Sequence, residues 1–489
     1  MNRITFLVLL FFCSIGQLLA QQPLQEAIRS FVQDPSNVHA SVGVCVIEVS
    51  SGRIIASHQA NRSLIPASAL KTVTTASALA MLGSTYRFKT VLQHDGDIVG
   101  GVLRGNLYLK GHGDPTYASG QMPAATGLEE CMQEIADCLH AANIHEIQGQ
   151  IIGDDAYFSS QTTPDAWQWN DMGNYYGAGV SGLNFHENLY HLYFQQNKRL
   201  DATVSVARIE PAIPDIEIVS EVRSAGARTG DNAYIYGAPY SPIRYVRGTI
   251  PVGSGTFGIK GAIPDPARTA AFYLRQALRK SGIRTSDGYT SARVLQREGV
   301  EMRYDTRATL YTQYSPELHK IINRTNLKSV NLYCEAMLKT MGIAKKGIGS
   351  TKAGASVVSE FWKERGLDTK GWYMEDGSGL SRTNAISAFQ LAKIMQLTAR
   401  DKGIFDHFYA SLPIGATSGS LKRMFRGTAA AGNIRAKSGT LERVRSYTGY
   451  ATDSRGMLLA FCIMTNNFSG SGGNMRRKME RLMVEICEN

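Results

Sequence analysis

The sequence predicts a mixed α/β protein in which one folding unit, made from the two ends of the chain, is interrupted by an insertion. An apolar helix over Ser68–Leu82 ends at Gly83, and helical periodicity returns clearly at Ala267–Lys280. From residue 87 to about 264, strand-like pieces alternate with turns such as Asp95-Gly96, and a single helix is predicted among them. The change near residue 87 from a helical pattern to short strands and turns therefore indicates an inserted region.

The remaining elements can be placed in order along the chain. The predicted helices are 24–32, 127–142, 328–341, 352–365, 387–399 and 474–486. The predicted strands of the outer unit are 41–49, with a hairpin partner at 53–57, and then 434–440, 445–452 and 457–465. The last helix carries its apolar residues on one side, which favours packing on its own sheet over lying on a membrane: Met475, Met479, Leu482, Met483 and Ile486.

The first twenty residues have the features of an export signal. Arg3 supplies a positive charge, Ile4–Phe12 form an apolar run, and Ala20 is a small residue suited to cleavage before Gln21. The apolar run is too short for a membrane anchor, which needs about 20 residues. Cys13 could mark a lipoprotein signal, but Phe12 is too bulky for that pattern. The sequence thus predicts an exported, periplasmic protein with a signal peptide over 1–20 and no transmembrane segment afterwards.

The composition is that of a folded, basic protein. The 489 residues are 43% apolar and 19% charged, which excludes a disordered chain. The net charge is +11, and removal of Arg3 with the signal leaves 11 − 1 = +10. A basic exported protein suits an anionic partner such as a polyanionic wall, although a generally solvated surface explains the charge equally well. Export argues against nucleic acid as the partner.

The cysteines predict neither a disulfide framework nor a zinc site. Cys131 and Cys138 lie seven residues apart on a predicted helix, roughly 10 Å, which is too far for a disulfide. Cys45 and Cys462 lie in apolar strand-like runs and are predicted to be buried free thiols. Because no pair of cysteines has zinc-ligand spacing, no metal is predicted.

The motif Ser68-Ala69-Leu70-Lys71 pairs a nucleophile with a base. A Ser-x-x-Lys match is expected about once by chance in a chain of this length, but this one opens an apolar helix just after Pro66. A spacing of three puts the hydroxyl and the amine on one helical face. A buried lysine can lose its charge and take the serine proton, and the helix N-terminus offers N–H groups to an oxyanion. Ser68 and Lys71 are therefore predicted to be catalytic.

Two further motifs follow in a specific order. Ser329-Val330-Asn331 begins a predicted helix 329 − 68 = 261 residues later, and Lys437-Ser438-Gly439-Thr440 lies on a predicted strand another 437 − 329 = 108 residues on. Ser329 can relay a proton, and Asn331 can position Lys71 and a substrate amide. Lys437 and Ser438 suit a substrate carboxylate, and Gly439 allows close approach of the substrate backbone. The N–H groups of Thr440 and Ser68 can form an oxyanion hole.

This motif set is typical of serine β-lactamases and penicillin-binding proteins. The chain resembles class C low-molecular-mass penicillin-binding proteins over nearly all of its mature length. Beyond the three motifs, the resemblance rests on the segments LYLKGHGDPTY, IIGDDAYF, WQWNDM, MEDGSGLSR, SLPIGATSGSL and AKSGTLERVRSYTGY. Ser438 replaces the more common threonine but keeps the hydroxyl, and His112 stands where the family often has glycine.

The resemblance implies an architecture and an activity. It implies a serine β-lactamase/transpeptidase-like domain, with an antiparallel sheet flanked by helices, interrupted by two nested smaller domains. The implied boundaries are 21–86 and 266–489 for the catalytic domain, 87–98 and 180–265 for domain II, and 99–179 for domain III. The implied activity is D-alanyl-D-alanine carboxypeptidase and endopeptidase action on peptidoglycan stem peptides, without a cofactor, and with β-lactams as covalent inhibitors.

The resemblance also assigns a substrate contact outside the three motifs. Asp171, in the segment Trp169-Asn170-Asp171, is implied to bind the amine of the third residue of the stem peptide, although a loop-capping role stays open. Asp376-Gly377-Ser378-Gly379 is interpreted as a tight turn without a catalytic role. Two other functions remain as alternatives: a serine β-lactamase, and a non-catalytic wall-binding or β-lactam-sensing protein. The intact motif residues disfavour the second.

Overall fold

The computed structural model describes residues 22–489. The predicted signal peptide, residues 1–20, lies outside the described residues. Among the helices that are described, none combines the length and the apolar character that crossing a membrane requires.

The strands are numbered in chain order. They are β1 (Ser41–Glu48), β2 (Ile54–His58), β3 (Ser63–Leu64), β4 (Lys89–His94), β5 (Ile98–Val99), β6 (Val102–Leu103), β7 (Leu107–Gly111), β8 (Glu146–Ile147), β9 (Ile151–Asp154), β10 (Leu189–Gln195), β11 (Ser205–Glu210), β12 (Glu217–Ala225), β13 (Asn232–Tyr236), β14 (Ile243–Pro251), β15 (Thr256–Ala262), β16 (Arg284–Thr285), β17 (Tyr289–Ser291), β18 (Ala308–Tyr314), β19 (Ile386–Ser387), β20 (Arg435–Leu441), β21 (Val444–Thr452) and β22 (Leu458–Asn466).

The helices are numbered in the same way. They are α1 (Gln22–Gln33), α2 (Lys71–Leu82), α3 (Leu128–Ala141), α4 (Trp169–Met172), α5 (Pro266–Lys280), α6 (Ala292–Arg297), α7 (Leu318–Lys328), α8 (Asn331–Lys346), α9 (Thr351–Glu364), α10 (Ala388–Arg400), α11 (Phe405–Ser411) and α12 (Gly472–Glu488). A short 3-10 turn, Ala67–Leu70, leads into α2.

The described chain forms two compact units. Unit 1 combines residues up to Ser84 with Ile322–Val330 and Ala355–Asn489, and unit 2 combines Thr85–Ile321 with Asn331–Gly354. The first and last segments of the chain thus belong to the same unit, and the two segments of unit 2 are separated in the sequence by Ile322–Val330 of unit 1. The division into a catalytic domain and domains II and III, with the boundaries given above, stays a prediction.

Unit 1 is built on a five-stranded antiparallel sheet in the order β2-β1-β22-β21-β20. Val44 and Val46 of β1 share a core with α1 and α12, and the alternate residues Cys45 and Ile47 are also fully buried. Helices therefore cover both faces, which explains why β1 is a continuous apolar run. The apolar side of α12 packs into this core, which confirms the sequence prediction for the last helix.

The free-thiol prediction for unit 1 is also confirmed. Cys45 and Cys462 are buried and unbridged, although the register of β1 and β22 places them opposite each other. Burial raises the pKa of Cys45 to about 12, so this thiol stays protonated and packs as a small apolar group.

Unit 2 contains four sheets of three to five strands and its own core. Their strand orders are β17-β9-β7-β4-β18, β16-β8-β6-β5, β11-β10-β15 and β12-β14-β13. Helix α5 packs on β9 and β17, and α3 packs on α5. The core residues of α3 and α5, such as Ile135 and Leu274, are joined to those of the sheets in one buried cluster. This unit carries the segment that contains Asp171.

Candidate active site

Ser68 lies in the 3-10 turn that precedes α2. Ala67, just before it, has a φ of 47°, a left-handed conformation that costs a non-glycine residue about 1–2 kcal/mol. Such strain persists only where surrounding contacts hold the backbone. One of these contacts is the Ser446 hydroxyl, which donates a hydrogen bond to the carbonyl of Pro66. The turn leaves Ser68 half-buried, while the side chains around it are buried.

Lys71 is fully buried directly behind Ser68. Its Nζ lies 3.1 Å from Ser68 Oγ and donates a 2.6 Å hydrogen bond to the carbonyl of Ser378. From Lys71 to Leu79 every residue of α2 is buried, so this helix is enclosed by the core of unit 1. The serine and the lysine of the first motif are therefore within proton-transfer distance in a desolvated position.

The loop Asp376–Ser381 supports the turn that carries Ser68. Asp376 is buried and accepts hydrogen bonds from the backbone N–H groups of Gly379 and Ser381, both at 2.6 Å. The carbonyl of Gly377 accepts the hydroxyl of Thr74, also at 2.6 Å. The sequence interpretation of a simple turn missed this support. The pattern Asp-Gly-Ser-Gly gives no local signal for it, because the contacts come from α2.

Gly379 is the point at which this loop meets the turn that carries Ser68. Its φ is 80°, and a Cβ on it would lie 1.9 Å from the carbonyl oxygen of Ala67. Gly379→Ala is expected to lower the free energy of unfolding by about 3 kcal/mol or more, because a backbone clash is added to the φ penalty. We expect penicillin labelling of Ser68 to fall with it.

Gly366→Ala is the matched control for that variant. Gly366 has nearly the same φ, 83°, but nothing lies within 4 Å of the added Cβ. It should cost only the φ penalty of about 1–2 kcal/mol and leave labelling intact. Urea unfolding and labelling with a fluorescent penicillin measure both effects. Equal losses for the two variants would show that contact with the Ser68 turn is unimportant.

Ser329 and Lys437 meet at a second point of unit 1. Lys437 is buried, and its Nζ donates hydrogen bonds to Ser329 Oγ at 2.9 Å and to the carbonyl of Ser438 at 2.8 Å. Ser329 has a φ of 60°, so it separates α7 from α8 instead of beginning a helix as the sequence predicted. The left-handed backbone at this serine is held by its contacts.

Ser329 and Lys437 line a cavity of about 580 Å³ in unit 1. Two further lysines, Lys328 and Lys422, line the same cavity, together with the hydroxyl residues Thr417, Ser418 and Ser420. Three ammonium groups and several hydroxyls suit a small anionic group such as a carboxylate. Of these cations only Lys437 was predicted from the sequence, since Lys328 and Lys422 belong to no motif.

The strand β20 presents the third motif at the edge of the sheet. Ser438 is half-buried and hydrogen-bonds the hydroxyl of Ser420 at 2.7 Å, while Thr440 is exposed. A Cβ on Gly439 would lie 2.2 Å from Ser446 Oγ and 2.5 Å from the carbonyl of Pro66. Glycine at this position thus lets the turn with Ser68 pack directly on β20, in addition to any role toward a substrate.

Asp171 and Asn331 lie together in unit 2. Asp171 is half-buried in the short helix α4 and hydrogen-bonds the side chain of Tyr176. Burial, and next the charge of Asp171, raise the pKa of Tyr176, so its hydroxyl is a stable donor. The Asn331 amide donates to the carbonyl of Tyr176 at 2.7 Å. Sequence reasoning missed Tyr176, because only the fold pairs it with Asp171.

Potential metal ligands are not clustered in the described part of the chain. No group of three or more histidine, cysteine, aspartate or glutamate side chains there could hold a metal ion.

A serine turn seated on an edge strand that carries Lys-Ser-Gly is the arrangement of serine peptidases that recognise D-alanyl-D-alanine and penicillin. The chain belongs to the D-Ala-D-Ala carboxypeptidase 3 (S13) family, whose model matches residues 24–489. It is thus a class C low-molecular-mass penicillin-binding protein, and its activity is that of a serine D-alanyl-D-alanine carboxypeptidase.

Individual relatives agree with this assignment. The chain is 29% identical to the D-alanyl-D-alanine carboxypeptidase of Actinomadura sp. (strain R39), over 91% of this chain and 81% of that protein. A crystal structure of penicillin binding protein 4 from Haemophilus influenzae superposes with a TM-score of 0.79 at 21% identity, covering 94% of this chain and 99% of the other. A second structure of that protein, complexed with a novel β-lactam, gives a TM-score of 0.76 at 20% identity, with the same coverage. The predicted fold class is confirmed.

Proposed function

We propose that the chain hydrolyses stem peptides through an acyl-enzyme on Ser68, with Lys71 as the base. The observation that carries this proposal is the 3.1 Å approach of the buried Lys71 Nζ to Ser68 Oγ. Ser68 Oγ attacks the carbonyl carbon of the penultimate D-alanine, and Lys71 takes the hydroxyl proton. The N–H groups of Ser68 and Thr440 stabilise the oxyanion.

Breakdown of the tetrahedral intermediate needs a proton on the leaving nitrogen. Ser329 relays this proton from Lys71, which restores the neutral amine. The terminal D-alanine leaves with its amine, or a crosslinked amine leaves in the endopeptidase reaction. Water then attacks the ester and Lys71 takes its proton; as the tetrahedral intermediate collapses, Lys71 returns that proton to Ser68 Oγ, which releases the acid and restores the serine hydroxyl and the neutral amine. Asn331 holds the substrate amide during both steps.

The substrate carboxylate is proposed to bind at Lys437 and Ser438. Support comes from the cavity that Lys437 shares with Ser329, which contains two additional lysines. A β-lactam carries a carboxylate at the corresponding place, which explains why the same residues serve substrate and inhibitor. Gly439 keeps the strand close to the turn with Ser68. The carboxylate contact at Lys437 is therefore held at a fixed distance from the scissile bond at Ser68.

A direct test of the activity uses defined muropeptides. The purified chain is incubated with a pentapeptide ending in D-alanyl-D-alanine and with a crosslinked dimer, and the products are weighed by mass spectrometry. Loss of one alanine shows carboxypeptidase action, and conversion of dimer to monomers shows endopeptidase action. Stable labelling by penicillin without any release of alanine would favour a sensing protein, and rapid turnover of penicillin would favour a β-lactamase.

Asp171 is proposed to bind the side-chain amine of the third stem residue, as diaminopimelate would supply. Asp171→Ala should lower kcat/KM for such a peptide about 5- to 150-fold, if the pair contributes about 1–3 kcal/mol. A peptide with that amine acetylated, and a simple penicillin that lacks it, should react as before.

Asp165→Ala is the matched control for Asp171→Ala. Asp165 is an exposed aspartate of the same segment and bonds the side chain of Gln161 at 2.7 Å. Its loss should leave all three reactions unchanged. An equal loss on the free and acetylated peptides would contradict amine recognition and leave Asp171 a structural residue of the loop.

The place of action is proposed to be the periplasm, after removal of the signal peptide over residues 1–20. The net charge of the mature chain suits a peripheral association with an anionic wall or membrane surface. Nucleic acid is not a proposed partner. Fractionation of a cell that expresses the tagged chain, with N-terminal sequencing of the exported form, tests the cleavage before Gln21.

A further inference from the structure

An exposed aromatic surface lies over the neighbouring strands β13 and β14 of the sheet β12-β14-β13 in unit 2. It consists of Trp169, Tyr234, Tyr236 and Tyr245, and is called the aromatic face below. Trp169, Tyr234 and Tyr245 are 52%, 44% and 42% exposed, and Tyr236 is half-buried. Large exposed aromatic side chains that lie together mark an interaction surface more often than isolated ones do.

Strand alternation and register bring the tyrosines together. Tyr234 and Tyr236 point outward from β13, whereas Ile235 between them is fully buried. On β14, Tyr245 and Arg247 point outward in the same way. Tyr236 lies directly opposite Tyr245, and Tyr234 directly opposite Arg247. Side chains in such positions are in reach of one another, so the surface is continuous across the two strands.

Trp169 extends the aromatic face past the edge of the sheet. The Asn174 side chain bonds both the N–H of Ile235, at 3.1 Å, and its carbonyl, at 3.4 Å, which fastens the segment of α4 along β13. The ring centroids of Trp169 and Tyr236 are 6.3 Å apart with planes tilted by only 35°. The two rings therefore face in similar directions. Trp169 itself lies two residues before Asp171 in the sequence.

Two arginines beside the aromatic face, Arg247 and Arg223, are each paired with a carboxylate. Arg247 bonds Glu221 of β12 at 3.1 Å, and the register places the two residues opposite each other. Arg223, which like Glu221 lies on β12, forms an ion pair with Asp201. This pairing does not suit a polyanion, which needs free cations. The exposed large hydrophobic side chains of the three strands are Tyr234 and Tyr245, and no leucine, isoleucine or phenylalanine is exposed there, which differs from the apolar centre of a protein interface.

We propose that the aromatic face binds the glycan strand of peptidoglycan, which rests on the activity proposed above. The faces of pyranose rings carry C–H groups that pack on aromatic rings, and tyrosine, tryptophan and a paired Arg-Glu supply polar partners for hydroxyl and acetamido groups. Neighbouring strands are about 4.8 Å apart, close to the length of one sugar unit in a linear glycan, so successive rings can meet successive sugars.

This site gives the enzyme a contact with the polymer that is separate from the stem peptide. Trp169 and Asp171 belong to the same short helix, α4. A glycan on the aromatic face therefore lies beside the residue proposed to bind the peptide attached to that glycan. The consequence is a preference for stem peptides on a strand over the same peptides in free solution.

Binding is measured directly with sugar chains freed of their peptides. The purified chain with Ser68→Ala is titrated with peptide-free peptidoglycan glycan. Trp169 is the exposed one among the four tryptophans, all of which lie in the described part of the chain, so protection of its fluorescence from acrylamide reports binding at this face. Tyr234→Thr with Tyr245→Thr removes two rings but keeps strand-forming residues. We expect the Kd to rise about tenfold.

Tyr314→Thr is the matched control for the double variant. Tyr314 is an exposed tyrosine at the end of a strand in the same unit, with no ring contact to the aromatic face. It should bind glycan like the parent. Equal binding by the double variant and the parent would overturn the proposal, as would self-association that is lost in the double variant while glycan binding stays intact.

Activity assays separate this inference from the proposed function. With Ser68 present, the double variant should hydrolyse a sugar-free pentapeptide at the parental kcat/KM and isolated sacculi several-fold more slowly. Equal rates on sacculi would contradict the glycan site while leaving the peptidase intact. A parent that binds glycan but releases no D-alanine from any peptide would instead contradict the proposed function.

Discussion

Ser68→Ala is expected to abolish both penicillin labelling and the release of D-alanine. In the proposed mechanism the hydroxyl oxygen of Ser68 forms the ester, and alanine has no group that can replace it. Removal of the nucleophile in serine hydrolases lowers kcat by about 10⁴-fold or more. The fold should be unaffected, because Ser68 is half-buried and loses only its contact with Lys71.

Ser63→Ala provides the control for this experiment. Ser63 is an exposed serine of unit 1, five residues earlier, and its hydroxyl donates to the carbonyl of Gly371 at 2.6 Å. It should keep full labelling and activity. A mass shift of one penicillin on the intact Ser68→Ala protein, mapped to another residue by peptide sequencing, would contradict the assignment of the nucleophile.

Local pattern predicted the framework of unit 1 well. The apolar runs that become β1, β21 and β22, and the apolar side of α12, depend on burial against one sheet, which periodicity in the sequence reflects directly. The three motifs were found because each has a fixed short spacing along the chain. The sequence therefore indicated both the fold class and the residues around Ser68 before any tertiary contact was known.

Features set by tertiary contacts were not predictable. The periodicity of residues 328–341 runs through Ser329 without interruption, yet α7 ends at Lys328 and α8 begins at Asn331. The break needs a left-handed serine, whose hydroxyl is held by Lys437 from a strand 108 residues away. No local propensity encodes that contact.

The same limit applies to the support of the nucleophile. The sequence around Asp376 and Gly379 is that of an ordinary turn. Its structural role comes from the hydrogen bond that Asp376 accepts from the Gly379 N–H and from the packing of Gly379 against Ala67. The role of Tyr176 likewise depends on two tertiary contacts: its hydrogen bond to Asp171, and the hydrogen bond that the Asn331 amide donates to the Tyr176 carbonyl. A single sequence shows which residue types are present at these points, but the partners are determined by the folded chain.

Lys71→Arg and Lys71→Met are expected to lose acylation while keeping the fold. A base must be able to give up its proton and take it back, and arginine stays protonated in proteins while methionine has no basic nitrogen. Removal of a general base costs about 10²–10⁴-fold in rate. Lys71 also donates a hydrogen bond to the carbonyl of Ser378. Arginine keeps N–H donors, so it tests the loss of proton transfer alone, whereas methionine loses both the base and the donor.

Lys339 supplies the control for replacing a buried lysine. Lys339 is also fully buried, and its Nζ donates to the carbonyl of Gln161 at 2.6 Å, while burial lowers its pKa to about 8. Lys339→Arg and Lys339→Met make the same side-chain changes at a fully buried lysine of unit 2 that does not bond Ser68. They should shift the melting temperature as the Lys71 variants do but keep the acylation rate.

The measurement is the second-order rate constant for acylation by a fluorescent penicillin, taken beside a melting curve for each variant. For both Lys71 variants we expect a fall of at least about 10²-fold at every pH between 6 and 9, since neither side chain gains a usable base in that range. Recovery of the rate at high pH in Lys71→Met would reveal hydroxide or another group acting on Ser68. Normal acylation by Lys71→Arg would exclude Lys71 as the base and transfer that role to Ser329 with Lys437, which are joined by the 2.9 Å bond.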